Sequence, residues 1–575
     1  MAAGSSRLSA NGSGGMGVRP VIRFDNSSTW LTALLAAVVA VPTLGVVWSA
    51  GSEALNLDAW NALANDPQLM PALAMTLWTG LAATGLSVAF TALILSLAFP
   101  GPRWGRTVKW LAPMLAVPHA AFAIGLAFLI APSGWILRAL SPWATGFDAP
   151  PPWATTQDPW GLGLITVLVA KEVPFLLWVA ATQLRRLDTA ARWTRDLQVA
   201  ASMGYTPRHA WWRLVWPQLW PRLGGPLLAV LAYSLSVVDM ALVIGPTTPP
   251  TIAVLAWQWL LDADATVNAQ GAAAAWLLAL VVALLAAVLW ELPRLLRWRS
   301  RWVDGERGKA GSGVRRGAKL LSIAVIPLIA LPAVYGAVML ALLAGSVSGV
   351  WPFPRLLPES FSGHGWQSVA ASAPTVWTTC TLGLVSALTA LVWSLAWLEC
   401  ATPQRDAQLR RLLYLPLLLP SVLWVVGLHR LMLAWSLDSR WAGLWIAHSL
   451  AATPYVLIAL SPAYLGFDHR YALIAGSLQK SRGHFLLRIK WPLLKASISG
   501  ALAVGFAVSV AQYLPTLFIG AGRFATVTTE AVTLASGAQR SLTAAYAWLQ
   551  WLLPALLFGL AAWVGRPRRF SKVTR

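Results

Sequence analysis

Apolar residues in this chain gather into runs of about 20 or more, separated by polar segments, and within the runs they do not alternate with polar residues. Such runs match the ~30 Å hydrocarbon thickness of a bilayer, where the absence of water drives the backbone to satisfy its own hydrogen bonds as helix. Transmembrane β-strands are shorter and alternate between apolar and polar positions. Six runs lie at about 29–50, 74–99, 108–131, 160–184, 223–247 and 271–291, and six more at about 319–345, 374–397, 410–434, 442–465, 497–520 and 541–565. The pattern predicts an all-α polytopic membrane protein of about twelve transmembrane helices in two six-helix halves. An even number of spans per half makes the halves parallel, as in a duplicated or fused transporter.

The segments between the runs set the domain boundaries. Residues 1–28 are rich in Gly, Ser and Arg with no apolar stretch before Trp30, which predicts a disordered cytoplasmic tail and no cleaved signal peptide. The first half covers 29–293, a basic linker 294–318, the second half 319–566 and a basic tail 567–575. In each half, four spans precede one unusually long polar loop and two spans follow it; these loops are 185–222 and 466–496.

Composition confirms the class and removes alternatives. With 57% hydrophobic residues, 11% charged residues and a mean hydropathy of +0.62, the chain is too apolar for a soluble domain. Its net charge of +22 would suit nucleic acid if it were massed on one surface. Instead 36 of the 43 Lys and Arg residues fall in alternate interspan segments, six (Arg138, Arg355, Arg430, Arg440, Arg523 and Arg540) fall in the others, and Lys171 lies inside a run. That bias places both termini and both long loops on the cytoplasmic side and leaves no nucleic-acid partner to expect. Two cysteines, Cys380 and Cys400, support neither a disulfide framework nor a zinc site, and His429, His448, His469 and His484 have no metal-ligand spacing. The 35 tryptophans suit the interfacial belts of a multi-pass protein.

The long loops carry the most specific pattern. The first contains Gln198-Val199-Ala200-Ala201-Ser202, then Gly204-Tyr205-Thr206-Pro207-Arg208, and ends Leu214-Val215-Trp216-Pro217. Small residues at 200–202 allow close approach of a partner backbone, Gly204 permits a sharp turn, and Thr206-Pro207 can begin a second helix as cap and first position. A short helix–turn–helix results, with Arg208, Arg213 and Arg222 facing water, headgroups or an acidic partner, and Trp211 and Trp212 at an interface or in a groove. The second loop ends Ile489-Lys490-Trp491-Pro492, which places Leu473-Ile474-Ala475 on the positions of 198–200 and Gln479 on that of Gly204, with Gly476 and Gly483 nearby. The copies are 275 residues apart.

These paired loops resemble the E-A-A-x3-G-x9-I-x-L-P loop of type I ATP-binding-cassette importer permeases, and the chain as a whole looks like their fused, double-length forms, such as the iron(III), thiamine and thiamine-like permeases. Both copies lack the acidic residue and the second lacks the glycine. The resemblance implies that the loops dock on a separate ATPase homodimer, which binds ATP and magnesium, that an extracytoplasmic solute-binding protein delivers the solute, and that the chain sits in a bacterial inner membrane. It nominates Gln198, Ala200, Ala201, Gly204, Tyr205, Pro207, Arg208, Leu214, Pro217, Ala475, Gln479, Gly483, Ile489 and Pro492 as docking residues. Change at Gly204 is expected to harm coupling more than change at Gln479. No cofactor is expected in this chain itself: the string nearest a phosphate-binding loop, Gly308-Lys309-Ala310, lacks the hydroxyl residue and the earlier glycine.

Ionisable residues at bilayer depth are costly and usually face the bundle interior. Lys171 and Glu172 stand mid-run ahead of Pro174, with His448 and Pro454 in the corresponding run of the second half. Adjacent helical residues point about 100° apart, so Lys171 and Glu172 need not pair with each other. Asp239 and the pair Gln512–Tyr513 follow Pro217 and Pro492 at similar distances. The resemblance implies that the spans after each docking loop line the central pathway, so Asp239, Gln512 and Tyr513 join Lys171 and Glu172 as translocation-pathway candidates, with the outer segments 245–251 and 516–522 as the expected mouth. An ion-coupled secondary transporter using Lys171, Glu172 and Asp239 is the alternative; an enzyme lacks any catalytic cluster.

Overall fold

A computed structural model describes residues 27–184, 187–295, 326–537 and 539–566. The expected tail 1–28 up to residue 26, the linker from 296 onward with the first residues of the second half, residues 185–186 of the first loop and the tail 567–575 lie outside the described residues.

Apart from one isolated bridge between Ser348 and Phe361, the regular structure among these residues is helical. The first half runs α1 (Ser27–Glu53), α2 (Leu57–Asn65), α3 (Leu69–Ala98), α4 (Pro102–Ala116), α5 (His119–Ile130), α6 (Trp135–Leu140), α7 (Leu162–Leu184), α8 (Leu187–Ser202), α9 (Gly224–Ser236), α10 (Asp239–Ile244), α11 (Ile252–Leu260) and α12 (Ala265–Leu295). The second runs α13 (Ile326–Ser346), α14 (His364–Ala371), α15 (Ala373–Cys400), α16 (Pro403–Leu413), α17 (Ser421–Ala434), α18 (Trp441–Leu465), α19 (Arg470–Ser477), α20 (Lys495–Val510), α21 (Leu514–Gly520), α22 (Val527–Ala535) and α23 (Arg540–Gly565).

Nine helical stretches among the described residues are long and apolar enough to cross a membrane, and up to eleven if two bent pairs count as single spans. The runs at 108–131, 223–247, 410–434 and 497–520 are all broken inside; the first is still counted through the stretch His119–Leu140, and the other three leave no single helix of sufficient length, which takes the expected twelve to nine. Pro118 and Pro420 interrupt two of them: a proline has no N–H to donate and disfavours helix at the residue before it, so α4 ends before Val117 and the α16–α17 path bends by 110° before Ser421. Val237 is extended, which leaves α9 only 13 residues, about 20 Å, too short to cross alone. Ala511–Tyr513 likewise separates α20 from α21.

The breaks come in pairs, 118 with 420 and 237–238 with 511–513, and other devices repeat with them. The N–H of Ile252, at the start of α11, donates to Thr76 Oγ1 at 2.8 Å, and that of Val527, at the start of α22, donates to Thr379 Oγ1 at 2.9 Å. Each threonine thereby satisfies a helix-start donor that hydrocarbon would leave unpaired. Each half's first helix also packs on the other half. At Gly427 of α17 a Cβ would stand 2.1 Å from the Val46 carbonyl oxygen of α1, and at Gly125 of α5 it would stand 2.6 Å from Val338 Cγ1 of α13. Glycine is required at both crossings because the partner backbone or side chain fills the space of a side chain.

Candidate functional site

The two long loops fold alike, residue for residue. In the first, α8 stops in a turn where the Tyr205 N–H donates to the Ala200 carbonyl at 3.1 Å and the Gly204 N–H to Ala201 at 3.0 Å. In the second, α19 stops with Lys480 donating to Ala475 at 3.0 Å and Gln479 to Gly476 at 3.0 Å. A closing bond of this type needs a left-handed residue. Gly204 has φ +86° and Gln479 φ +50°, so the glutamine accepts a conformation that glycine adopts freely.

A capped second helix follows each turn. Thr206 Oγ1 accepts the His209 N–H at 3.3 Å and Ser481 Oγ accepts that of His484 at 3.3 Å, starting the helices Pro207–Ala210 and Arg482–Phe485. One wide turn comes next, Trp211–Val215 and Leu486–Lys490, in which the residue after it donates five positions back: Trp216 to Trp211 and Trp491 to Leu486. Pro217 and Pro492 explain the widening. Each lacks an N–H and its ring displaces the carbonyl four residues earlier, so the chain opens by one residue there. Leu214 and Ile489 sit half-buried within these turns.

What the elbows present differs from the sequence expectation in part. Ala200 and Ala475 are buried against their own turns, while Gln198, Ala201, Gly204, Arg208, Gln479 and Gly483 are exposed, and Tyr205 stacks on His209 with ring centres 5.8 Å apart. Trp211 is not a surface anchor: it is 2% exposed and packs with Trp212 and Trp216 inside the loop. The apex is apolar instead. Val199 and Met203 are 59% and 65% exposed, and their counterparts Ile474 and Leu478 57% and 63%. Sequence reading missed these four; the signal was available, since each pair is separated by the same 275 residues as the motif prolines.

The halves fasten their loops by different chemistry. The first loop is held by Trp193, whose indole donates to Gln218 Oε1 at 3.0 Å and carries the Arg222 guanidinium on its face at 5.0 Å, together with Trp211, Val215 and Leu219 packed on the ends of α3 and α7. The second is held by Glu399 at the end of α15, which accepts from Lys490 at 2.7 Å, Tyr464 at 2.8 Å and Arg482 at 3.1 Å. Glu399→Gln would leave Lys490, only 12% exposed, without its counter-charge. A loss of about 2 kcal/mol is expected, read as a lower unfolding midpoint of the detergent-solubilised protein, with Glu399→Asp intermediate.

Between the halves lies a cavity of about 970 Å³. All four helix breaks reach it, through Val117–Pro118, Val237–Val238, Leu419 and Ala511–Tyr513. Three pathway candidates, Asp239, Gln512 and Tyr513, line it together although two come from one half and one from the other. Lys171 and Glu172 are buried and do not line it. Lys171 Nζ donates to the Val117 carbonyl at 2.6 Å, an acceptor released by the break before Pro118, and so braces that break. His448 bridges a break in the second half through side chains: its ring nitrogens meet the Ser509 hydroxyl at 2.7 Å and the Thr516 hydroxyl at 3.0 Å, one on each side of the α20–α21 break. The polar residues of the two fourth spans thus hold irregular backbone at membrane depth. Among the described residues, no group of three His, Cys, Asp or Glu side chains could hold a metal ion.

No family model matches the chain. The chain is similar to the inner membrane ABC transporter permease protein YnjC of Escherichia coli (strain K12), with 37% identity over 549 residues, covering 93% of this chain and 96% of that protein.

Proposed function

The chain belongs to the inner-membrane ABC transporter permeases, and from that premise we propose that it forms the complete solute pathway of an ATP-driven importer, both halves being carried in one polypeptide. It is a multi-pass membrane protein whose partner in ATP hydrolysis is a separate subunit, here an ATPase homodimer that binds ATP and magnesium. The two elbows are its docking elements and face the cytoplasm with both termini, as the distribution of Lys and Arg favours. An extracytoplasmic solute-binding protein delivers solute on the opposite side.

The observation that carries this reading is the duplicated elbow, with the same capped turn, the same wide turn before proline and the same exposed apolar apex in two places 275 residues apart. A pair of elbows alike in backbone matches a pair of identical clefts on a symmetric ATPase dimer. Closure of that dimer would move the elbows, and the helices attached to them would switch the cavity between its two openings. No bond chemistry is required of this chain.

Co-expression with candidate ATPase subunits checks the pairing. The permease should carry the ATPase through purification, and Gly204→Val, which places a β-branched side chain at φ +86°, should reduce the amount carried while the permease still inserts. Gradient-driven uptake by the chain alone, with no ATPase present, would overturn the proposal in favour of a secondary transporter.

A further inference from the structure

A narrow crevice runs along the side of the bundle where α3, α4 and α7 of the first half meet α13 of the second, lined by Thr107, Trp110 and Met114 of α4 with Ile94, Leu177 and Leu328. Trp110 is 58% exposed, and Thr107 and Leu328 are half-buried, so the crevice is open at the surface. Its depth follows from where its residues sit in their helices. Ile94 lies four residues before the end of α3, Leu177 seven before the end of α7 and Leu328 two after the start of α13. Since α7 leads into the first elbow, the crevice lies within about 10 Å of the membrane face that carries that elbow.

The first turns of α4 place cations at its mouth. Arg103 and Arg106 stand one helical turn before Thr107 and Trp110, and helical side chains lean toward the N-terminus, which sets both guanidinium groups between the crevice and that membrane face. Lys109 flanks them. All three are exposed, α4 carries no acid, and none of the three has an ion-pair partner among the described residues.

The corresponding corner of the second half is closed by protein. There α16 follows α15 as α4 follows α3, and α1 takes the place of α13. Arg410 of α16 turns to Asp406 at 2.7 Å, Ser461 at 2.8 Å and Tyr414 at 3.0 Å. α1 is tied to α15 by the Trp393 indole on the Leu35 carbonyl at 2.9 Å and by Thr32 on the Cys400 carbonyl at 3.3 Å. Where α13 is tied to α7, Tyr335 donating to the Ala170 carbonyl at 3.1 Å, the contact lies about 10 Å deeper than Leu177.

We propose that this corner binds an anionic phospholipid: the phosphate rests on Arg103 and Arg106, with Lys109 beside them, and one acyl chain lies along the crevice between α4 and α13. Basic pockets between transmembrane helices near a membrane face suit such headgroups, and an exposed tryptophan suits the headgroup boundary. A zwitterionic lipid would leave the three cations without a net counter-charge, and a soluble anion would leave the apolar crevice unfilled. Because α4 belongs to one half and α13 to the other, a lipid bound here favours this arrangement of the halves.

Native mass spectrometry of the full chain, released from detergent after titration with lipid, resolves binding one lipid at a time. Palmitoyl-oleoyl phosphatidylglycerol and the matching phosphatidylcholine are the probes. The first phosphatidylglycerol should bind about tenfold more tightly than the first phosphatidylcholine, the order expected of two cations near a membrane surface. The double variant Arg103→Gln with Arg106→Gln should bring the two lipids to within about twofold of each other, while Arg405→Gln with Arg411→Gln, which removes the same charge from exposed positions of α16, should keep the preference. Thr107→Phe fills the crevice at unchanged charge and should weaken phosphatidylglycerol binding as well, which also covers the case in which the double variant does not fold. Equal affinity for the two lipids in the parent, a preference that survives in the Arg103 and Arg106 variant, an equal loss in the Arg405 and Arg411 variant, or full binding by Thr107→Phe overturns the proposal. Displacement of the lipid by millimolar glycerol phosphate would overturn it too, assigning the cations to a soluble anion.

Discussion

Gly427→Val is expected to abolish recovery of folded protein, or to lower its unfolding midpoint more than any other single change of glycine to valine among the described residues. A Cβ at this position would come within 2.1 Å of the Val46 carbonyl oxygen and 3.0 Å of the Ala50 Cβ. The obstacle is backbone, which cannot swing aside as a side chain does. Nor can α1 retreat as a whole. The Trp393 indole donates to the Leu35 carbonyl at 2.9 Å, the Trp276 indole to the Ala50 carbonyl at 2.7 Å, and Glu53 pairs with Arg430 at 3.2 Å. Overpacking against a fixed partner costs about 3 kcal/mol, and the three anchors place this case at the upper end. Gly51→Val on α1, the facing helix, is the control, because nothing lies within 4 Å of a Cβ there. Thermal unfolding of both variants in detergent decides the matter; equal midpoints would mean that the crossing of α1 and α17 is looser than its geometry. Gly125→Val should fall between the two, since the nearest obstacle is the tip of a valine side chain at 2.6 Å.

The double change Met203→Asp and Leu478→Asp is expected to cut ATPase co-purification by more than tenfold with no change in insertion or thermal midpoint. Both side chains are nearly two-thirds exposed, so folding gains little from them, and substitutions at such sites usually stay within about 0.5 kcal/mol. A docking interface treats the same residues differently. Exposed apolar side chains at the centre of a contact are desolvated on binding, and an aspartate there would bring a charge that has no partner. Each single change should weaken the complex partly, because one elbow would remain intact. Retention of the ATPase by the double variant would remove the elbows from the docking surface. The distinction from the Gly427 variant is clean: one loses the protein, the other only its partner.

Much of the membrane architecture was legible in the chain because hydrocarbon imposes length and periodicity on anything that crosses it. The runs marked the spans, and the equal spacing of Pro217 and Pro492 found the elbows even where Gln479 replaced glycine. The structure explains why that replacement did not hide the copy: Gln479 takes the left-handed conformation, and the capped turn around it is set by backbone bonds that any residue can make. Asp239, Gln512 and Tyr513, nominated from their position after the loops and from the family resemblance, line one cavity. Lys171 drew attention for its charge, yet its ammonium braces a broken helix at Val117. Sequence cannot separate these two uses of a buried charge, since both need the same residue in the same kind of run.

By itself, the sequence determined the class of protein and the place of the elbows, and it set the expectation of two parallel halves with their positive loops on one side, because these follow from local composition and spacing. The tertiary structure decided which runs are broken, since Lys171 satisfies a carbonyl freed at one break and His448 ties together the hydroxyls of Ser509 and Thr516 on the two sides of another. It also decided that Trp211 is packed inward while Met203 and Leu478 point out, and that the second loop rests on Glu399, more than 80 residues from its partner Arg482. Contacts of that range depend on how the halves close around one cavity, and no local pattern of apolar and polar positions records them.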